Sequence, residues 1–81
     1  MERTKLDDIF ENADANWEGD NAFQWLLILY KYSTEVVRWV SHDTLHSVGV
    51  DEVIDRLTEE DAKELAELNW MIEDDWFACF V

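Results

Sequence analysis

Apolar positions near the start of the chain recur with the spacing of a helix. Leu6, Ile9, Phe10 and Ala13 follow an i, i+3, i+4, i+7 pattern, which places all four side chains on one face of an α-helix. The pattern therefore predicts a first helix from Lys5 to about Ala13, with the four apolar residues turned towards a core.

The middle of the chain is apolar on most of the circumference that a helix there would have, a pattern typical of a buried helix. There is no proline, there are only two glycines, and no Asn-Gly or Asp-Gly pair marks a tight hairpin turn. We expect a long apolar central helix over residues 21–47, ended by Gly49 in the left-handed conformation. The β-branched and aromatic residues of 25–40 also suit strands, so an α+β fold with a hairpin in 25–40 is the alternative.

The last third of the sequence predicts two more helices. A short helix is expected from Asp51 to Leu57, and Thr58 with Asp61 three places later is typical of a helix start. A helical seam then leads to the C-terminus through Ala62, Leu65, Leu68, Ile72, Trp76 and Phe80. At 81 residues the chain is expected to form one domain. The predicted fold is all-α: a single acidic helical domain over 1–81, a bundle of four to five helices.

The charge of the chain narrows its possible partners. Twenty acidic residues against six basic ones give a formal net charge of −14, well beyond the ~2–8 expected for a small soluble domain. The hydrophobic content of 48% and the five tryptophans argue against a disordered acidic tail. Repulsion from phosphates makes direct binding to nucleic acid or to an anionic membrane unfavourable.

Carboxylates on the predicted C-terminal helix form a row. Glu60, Glu64, Glu67 and Asp74 share one helical face, and one turn rises ~5.4 Å, close to the roughly 6–7 Å between phosphates of a nucleic-acid strand. Trp70 is a candidate aromatic anchor beside the row. A solvated helix face without a partner is the alternative interpretation. The predicted partner-binding residues are Asp51, Glu52, Asp55, Glu60, Glu64, Glu67, Trp70, Glu73, Asp74 and Asp75.

In size, charge and carboxylate rows such as Glu60, Glu64 and Glu67, the chain resembles the small acidic phage proteins that act against host nucleic-acid machinery. These include anti-CRISPR and anti-restriction proteins that mimic DNA. The resemblance implies a non-enzymatic inhibitor in the cytoplasm of the host cell. Its implied partner is the positively charged channel of a Cas or restriction complex, from which it excludes DNA. The resemblance implies strongly salt-sensitive association.

Candidate catalytic and metal-binding patterns are incomplete. His42 and His46 have the i, i+4 spacing of a zincin helix, but Asp43 stands where that motif has glutamate and there is no third histidine. Residues 14–20 resemble the first half of an EF-hand loop, whose twelfth position would be Trp25, which cannot coordinate Ca²⁺. Cys79 lacks a cationic neighbour that would activate it. We expect no enzyme activity, no cofactor and no metal.

Two further functions fit an acidic chain of this size. One is an immunity protein or antitoxin that neutralises a basic toxin, and the other is an acidic adaptor whose charge only keeps it soluble. The longest apolar run, residues 25–30, is far shorter than the ~20 residues of a membrane-spanning helix. The N-terminus has no apolar segment of the kind that directs export.

Overall fold

The computed structural model of the chain describes residues 1–14 and 21–80. In chain order, two helices and a hairpin are followed by two more helices and a second hairpin. The four strands form one antiparallel sheet in the order β1-β2-β4-β3. The elements are α1 (Arg3–Glu11), α2 (Asn21–Tyr30), β1 (Trp39–Ser41), β2 (Thr44–Gly49), α3 (Val50–Val53), α4 (Glu59–Glu67), β3 (Met71–Glu73) and β4 (Trp76–Phe80).

The all-α prediction is wrong, because the fold is α+β. The long apolar central helix does not form: α2 ends at Tyr30, and the β1–β2 hairpin occupies residues 39–49. The α+β alternative names the right class but places its hairpin too early, since the first part of 25–40 is helical. The two hairpin turns contain no glycine. His42, Asp74 and Asp75 take the positive φ angles of 57°, 48° and 66°, which Asp and His reach more easily than most residues.

The predicted helix from Thr58 to the C-terminus is also wrong beyond its first half. Thr58 caps α4 as predicted, with its hydroxyl oxygen accepting the Asp61 N–H at 3.1 Å. The helix stops at Glu67, and Asn69 follows with a φ of 66°, a left-handed conformation typical of helix ends. Of the later residues of the predicted seam, Leu68 follows the end of α4, and Ile72, Trp76 and Phe80 lie in strands β3 and β4.

The first helix and the role of Gly49 were also predicted, the first correctly and the second not. The first helix is confirmed, although it spans Arg3–Glu11 rather than Lys5 to about Ala13. Gly49 does not end a helix in the left-handed conformation, since its φ is −69°. It is instead the extended residue before α3, and its N–H donates to the Glu52 carboxylate at 2.7 Å. The two residues thus form the start of a short helix directly after β2.

Aromatic residues form the centre of the core between helices and sheet. Trp25 of α2 is fully buried and stacks on Trp70 with ring centroids 3.9 Å apart. The Phe77 ring from β4 meets Trp25 edge-on at 5.0 Å. The Trp25 indole N–H also donates to the Leu65 carbonyl of α4. This packing fixes α2 and α4 side by side over the sheet and determines which of their faces point outward.

Candidate protein-binding surface

Helix α4 lies between α1 and α2. On the α1 side, the Lys5 ammonium meets the Glu59 carboxylate at 3.0 Å. On the α2 side, the Asn21 amide donates to the Leu68 carbonyl at 2.8 Å, and Lys31, just after α2, reaches Asp61 at 2.8 Å. Because Asn21 meets the end of α4 and Lys31 meets its start, the two helices run antiparallel.

The outward face of α4 is a row of carboxylates. Asp61, Ala62, Leu65 and Ala66 are buried on the inner side of the helix. The remaining spacing puts Lys63 on the outer side together with three carboxylates, Glu60, Glu64 and Glu67, all of which are exposed. None of the three forms an ion pair with any residue in 1–14 or 21–80.

The carboxylate row ends with α4 and does not continue to Asp74 as the helical prediction required. Residues Glu73, Asp74 and Asp75 lie at the end of β3 and in the turn before β4. That turn lies beside the start of α3, because the Val50 N–H donates to the Asp75 carbonyl at 2.8 Å. The structure therefore divides the predicted residues between α4 and a second acidic area, formed by α3 and the β3–β4 turn.

In the second acidic area, three carboxylates have partners within the protein. Arg38 lies 3.1 Å from Glu52, and this hydrogen bond, together with the one from Gly49, lowers the pKa of the Glu52 carboxyl. Arg3 lies 2.9 Å from Asp75, and His46 Nε2 lies 3.4 Å from Glu73.

The other carboxylates of the second area, Asp51, Asp55 and Asp74, are exposed. They have no ion pair within the part of the chain that the structure describes. These three and the α4 row are thus available for a partner.

Trp70 is not a surface anchor. Its side chain is only 4% exposed, and its ring lies flat against Trp25. Trp39 falls within the predicted buried helix over residues 21–47, but it is 41% exposed. Its ring stacks on His46 with centroids 4.3 Å apart and meets Trp76 edge-on at 4.9 Å.

The lysine and arginine side chains bind groups of the same chain. All six lysines and arginines lie in the described residues, and five of them pair with carboxylates of the same chain. The sixth, Arg56, donates to the backbone carbonyls of Tyr32 and Glu52. None of these six side chains forms an ion pair with Glu60, Glu64 or Glu67.

Helix α2 has an exposed apolar stripe, whereas the sequence predicts a buried helix over residues 21–47. Phe23, Leu27 and Tyr30 are 63%, 56% and 59% exposed. They lie at i, i+4 and i+7, opposite the buried Trp25 and Leu29. Because α2 is apolar on both sides, hydropathy does not distinguish its inner face from its outer face.

Lys5 and Lys63 border a cleft of about 480 Å³ between α1 and α4. Both ammonium groups pair with the same carboxylate, Glu59, at 3.0 and 3.6 Å. Lys5 is the main reason that the pKa of the Glu59 carboxyl is lowered. The cleft therefore has no unpaired basic group for an anionic ligand, and its other charged lining residues, Asp8, Asp14 and Glu67, are acidic.

The zincin-like pair does not lie on a helix. His42 is in the β1–β2 turn and His46 is in β2, so the i, i+4 spacing no longer brings them to one helical face. Within residues 1–14 and 21–80, no group of three or more histidine, cysteine, aspartate or glutamate side chains is placed to hold a metal ion. Most of the EF-hand-like segment, residues 15–20, lies outside the described residues.

Cys79 is buried in β4, and burial raises the pKa of its thiol to about 11. The thiolate is the reactive form of cysteine, so this side chain is poorly suited to nucleophilic chemistry at neutral pH. No helix among the described residues is long and apolar enough to span a membrane.

No protein-family model, curated protein or solved structure matches the chain.

Proposed function

We propose that this protein is a non-enzymatic acidic inhibitor that binds a basic, nucleic-acid-binding surface of another protein and keeps nucleic acid out. Its target would be a Cas or restriction type of complex. The observation that supports this proposal best is the outward row on α4. Glu60, Glu64 and Glu67 are exposed, share one face and form no ion pair among the described residues.

The spacing of the row suits a surface that normally binds phosphates. Glu60 and Glu64 are about one turn apart, ~5.4 Å along the axis, and the whole row spans roughly 10 Å. A groove that places lysines or arginines at phosphate spacing can meet successive carboxylates of such a row. The net charge of −14 also accelerates encounter with a positive surface, an effect that weakens as salt screens the charges.

The α4 row also fits a protein partner better than a structural role. Like charges at i, i+4 mildly destabilise a helix, and these three residues form no ion pair within the described chain that would offset this cost. The carboxylates that hold the fold together, such as Asp61 and Glu59, are the ones that have basic partners. A carboxylate row that the fold does not use for ion pairs is typical of a binding surface.

The test is capture of partners from a bacterial lysate by the immobilised protein at low salt (about 50 mM) and high salt (about 500 mM). The wild-type protein is compared with an E60K/E64K/E67K variant. A matched control, E11K/E35K/D43K, makes the same change in net charge at exposed carboxylates elsewhere. We expect a nucleic-acid-binding complex that is captured at low salt by the wild type and the control but not by the α4 variant.

The captured complex is then assayed for DNA or RNA binding with and without the protein. The proposal requires the wild type to displace the nucleic acid and E60K/E64K/E67K to fail while its circular dichroism spectrum is unchanged. Equal capture by both lysine variants would contradict a role for the α4 row. Capture of one small basic toxin, without competition by nucleic acid, would replace the proposal with the immunity-protein alternative.

A further inference from the structure

We infer that the outward side of α2 and α4 is a docking surface for an amphipathic helix that has lysine or arginine beside its apolar face. This α2–α4 face consists of Phe23, Leu27 and Tyr30 from α2 and of Glu60 and Glu64 from α4. The inference rests on the proposed function in one respect, which is that the partner is a basic protein. It adds the shape and the apolar character of the segment that is recognised.

The apolar half of the α2–α4 face is large for so small a protein. Three bulky side chains, each more than half exposed, follow one another along a single helix. Isolated exposed apolar residues are common on protein surfaces, whereas a continuous set is typical of an interaction site. Helix α2 has 10 residues, about 15 Å, which matches the two to three turns over which a bound helix places its apolar anchors.

The acidic half of the face lies on α4, the helix next to α2. Helices α2 and α4 are antiparallel neighbours, held by the bonds from Trp25 to Leu65 and from Asn21 to Leu68. Lys31, which directly follows Tyr30, reaches Asp61 of α4 at 2.8 Å. The end of the apolar stripe therefore adjoins the first turns of α4, where Glu60 and Glu64 lie.

Charge complementarity selects the occupant. Helix α2 contains no acidic or basic residue, so the stripe itself neither attracts nor repels a charged partner. Its border on α4 is negative, because Glu60 and Glu64 are exposed and have no ion pair within the described residues. A second copy of the chain would bring the same carboxylates together and add another −14 charges. A helix with lysines beside its apolar face neutralises the border instead.

The test uses a defined probe, a fluorescein-labelled helical peptide of about 16 residues with leucines on one face and lysines on both flanks. Fluorescence anisotropy measures its binding to the wild-type protein and to F23S/L27S/Y30S. A matched control, V37S/V40S/F80S, removes three apolar side chains that are about as exposed but lie outside α2. A second peptide, with glutamine in place of leucine, measures the purely electrostatic binding.

We expect F23S/L27S/Y30S to bind the leucine–lysine peptide at least about tenfold more weakly than the wild type, and the control to lose less than about twofold. The glutamine–lysine peptide should bind all three proteins equally. Leu27→Ser alone serves as a second variant if the triple variant does not fold. Equal losses in both triple variants, or no loss in either, would overturn the inference.

Sedimentation of the wild type provides an independent check. A dimer that becomes a monomer in F23S/L27S/Y30S would show that a second copy covers the stripe, and the inference would be wrong. The lysate experiment separates this failure from that of the proposed function. If F23S/L27S/Y30S captures the complex as the wild type does and E60K/E64K/E67K does not, the docking inference fails and the proposed function stands. Capture unaffected by E60K/E64K/E67K contradicts the proposed function, whatever the peptide shows.

Discussion

The inward and outward sides of the α2–α4 pair contain the same kinds of residues but use them differently. On the inward side, Trp25 has a stacking partner in Trp70 and a hydrogen-bond acceptor in Leu65. On the outward side, the large apolar residues of α2 are exposed. The same contrast holds for carboxylates one residue apart on α4: Asp61 is buried and paired, and Glu60 is exposed.

This comparison shows that residue type does not tell which side chains hold the fold together. The contribution of an apolar side chain to folding scales with the area it removes from water, and a carboxylate contributes when it has a fixed basic partner. By both criteria the inward side accounts for stability. The outward side contributes little to folding, so its apolar and acidic residues are candidates for binding a partner. Substitutions on the two sides should therefore separate stability from function.

The largest expected effect is that of Trp25→Ala. The side chain is fully buried and contacts Trp70, Phe77 and Phe10, so its removal should cost about 3–5 kcal/mol. A domain of this size has roughly 4–12 kcal/mol of stability in total, so the variant should lose a large share of its stability. Urea denaturation followed by far-ultraviolet circular dichroism measures the change.

The matched control for Trp25→Ala is Phe23→Ala, two residues away on the outward side of α2. Phe23 is 63% exposed, so its truncation should lower the free energy of unfolding by less than about 0.5 kcal/mol. Comparable losses in the two variants would mean that Phe23 is packed in solution, and the distinction between the two sides of α2 would be wrong.

A smaller loss is expected for Asp61→Asn. The Asp61 carboxylate accepts hydrogen bonds from Lys31 at 2.8 Å and from the Tyr32 hydroxyl. Burial by itself would raise the pKa of this carboxyl, but those bonds outweigh burial and lower it. Replacing the carboxylate by a neutral amide removes two charge-assisted bonds, so we expect a loss of about 1–3 kcal/mol at neutral pH. Urea denaturation at a series of pH values measures it.

The loss of unfolding free energy caused by Asp61→Asn should depend on pH in a definite direction. A carboxyl with a lowered pKa in the folded state binds protons more readily when unfolded, so it stabilises the fold above its unfolded pKa and loses this contribution in acid. The difference between wild type and Asp61→Asn should therefore be constant near neutral pH and shrink below about pH 4. A difference that grows in acid would refute the assignment of the charged form to Asp61. Lys31→Met should show the same trend with a smaller loss, because its side chain is 57% exposed.

The sequence predicts helices best where a cap or an amphipathic pattern defines them. The helix start at Thr58 and the face shared by Leu6 and Ile9 were both recognisable, because each depends on nearby residues. The strands were not predicted because neither hairpin turn contains the glycine that marks a tight turn in a sequence. Histidine and aspartate residues take the positive φ angles there instead. The strand conformation of residues 39–49 depends on tertiary contacts. Leu45 of β2, for example, pairs with Cys79 of β4, which is far away in the sequence.

The candidate site was predictable only within one helix. The spacing of Glu60, Glu64 and Glu67 is enough to place them on one face once α4 forms. The contact between α3 and the turn at Asp75 requires the β3–β4 hairpin, which the helical prediction excluded. Similarly, composition marks α2 as apolar, but its exposed stripe is defined by which face meets Trp70 and Leu65, and no pattern within α2 contains that information.

The smallest effect on stability is expected for E60Q/E64Q/E67Q, on the outward side of α4. The substitutions remove repulsion between neighbouring carboxylates, worth about 0.2–0.5 kcal/mol per pair. Against this, Glu60 in the first turn loses a favourable interaction of similar size with the helix dipole. The free energy of unfolding should change by less than about 0.5 kcal/mol, and the change should diminish as salt screens it. Urea denaturation at two salt concentrations measures it, and a loss above about 1 kcal/mol would mean that the row supports the fold, which would weaken its assignment to a partner.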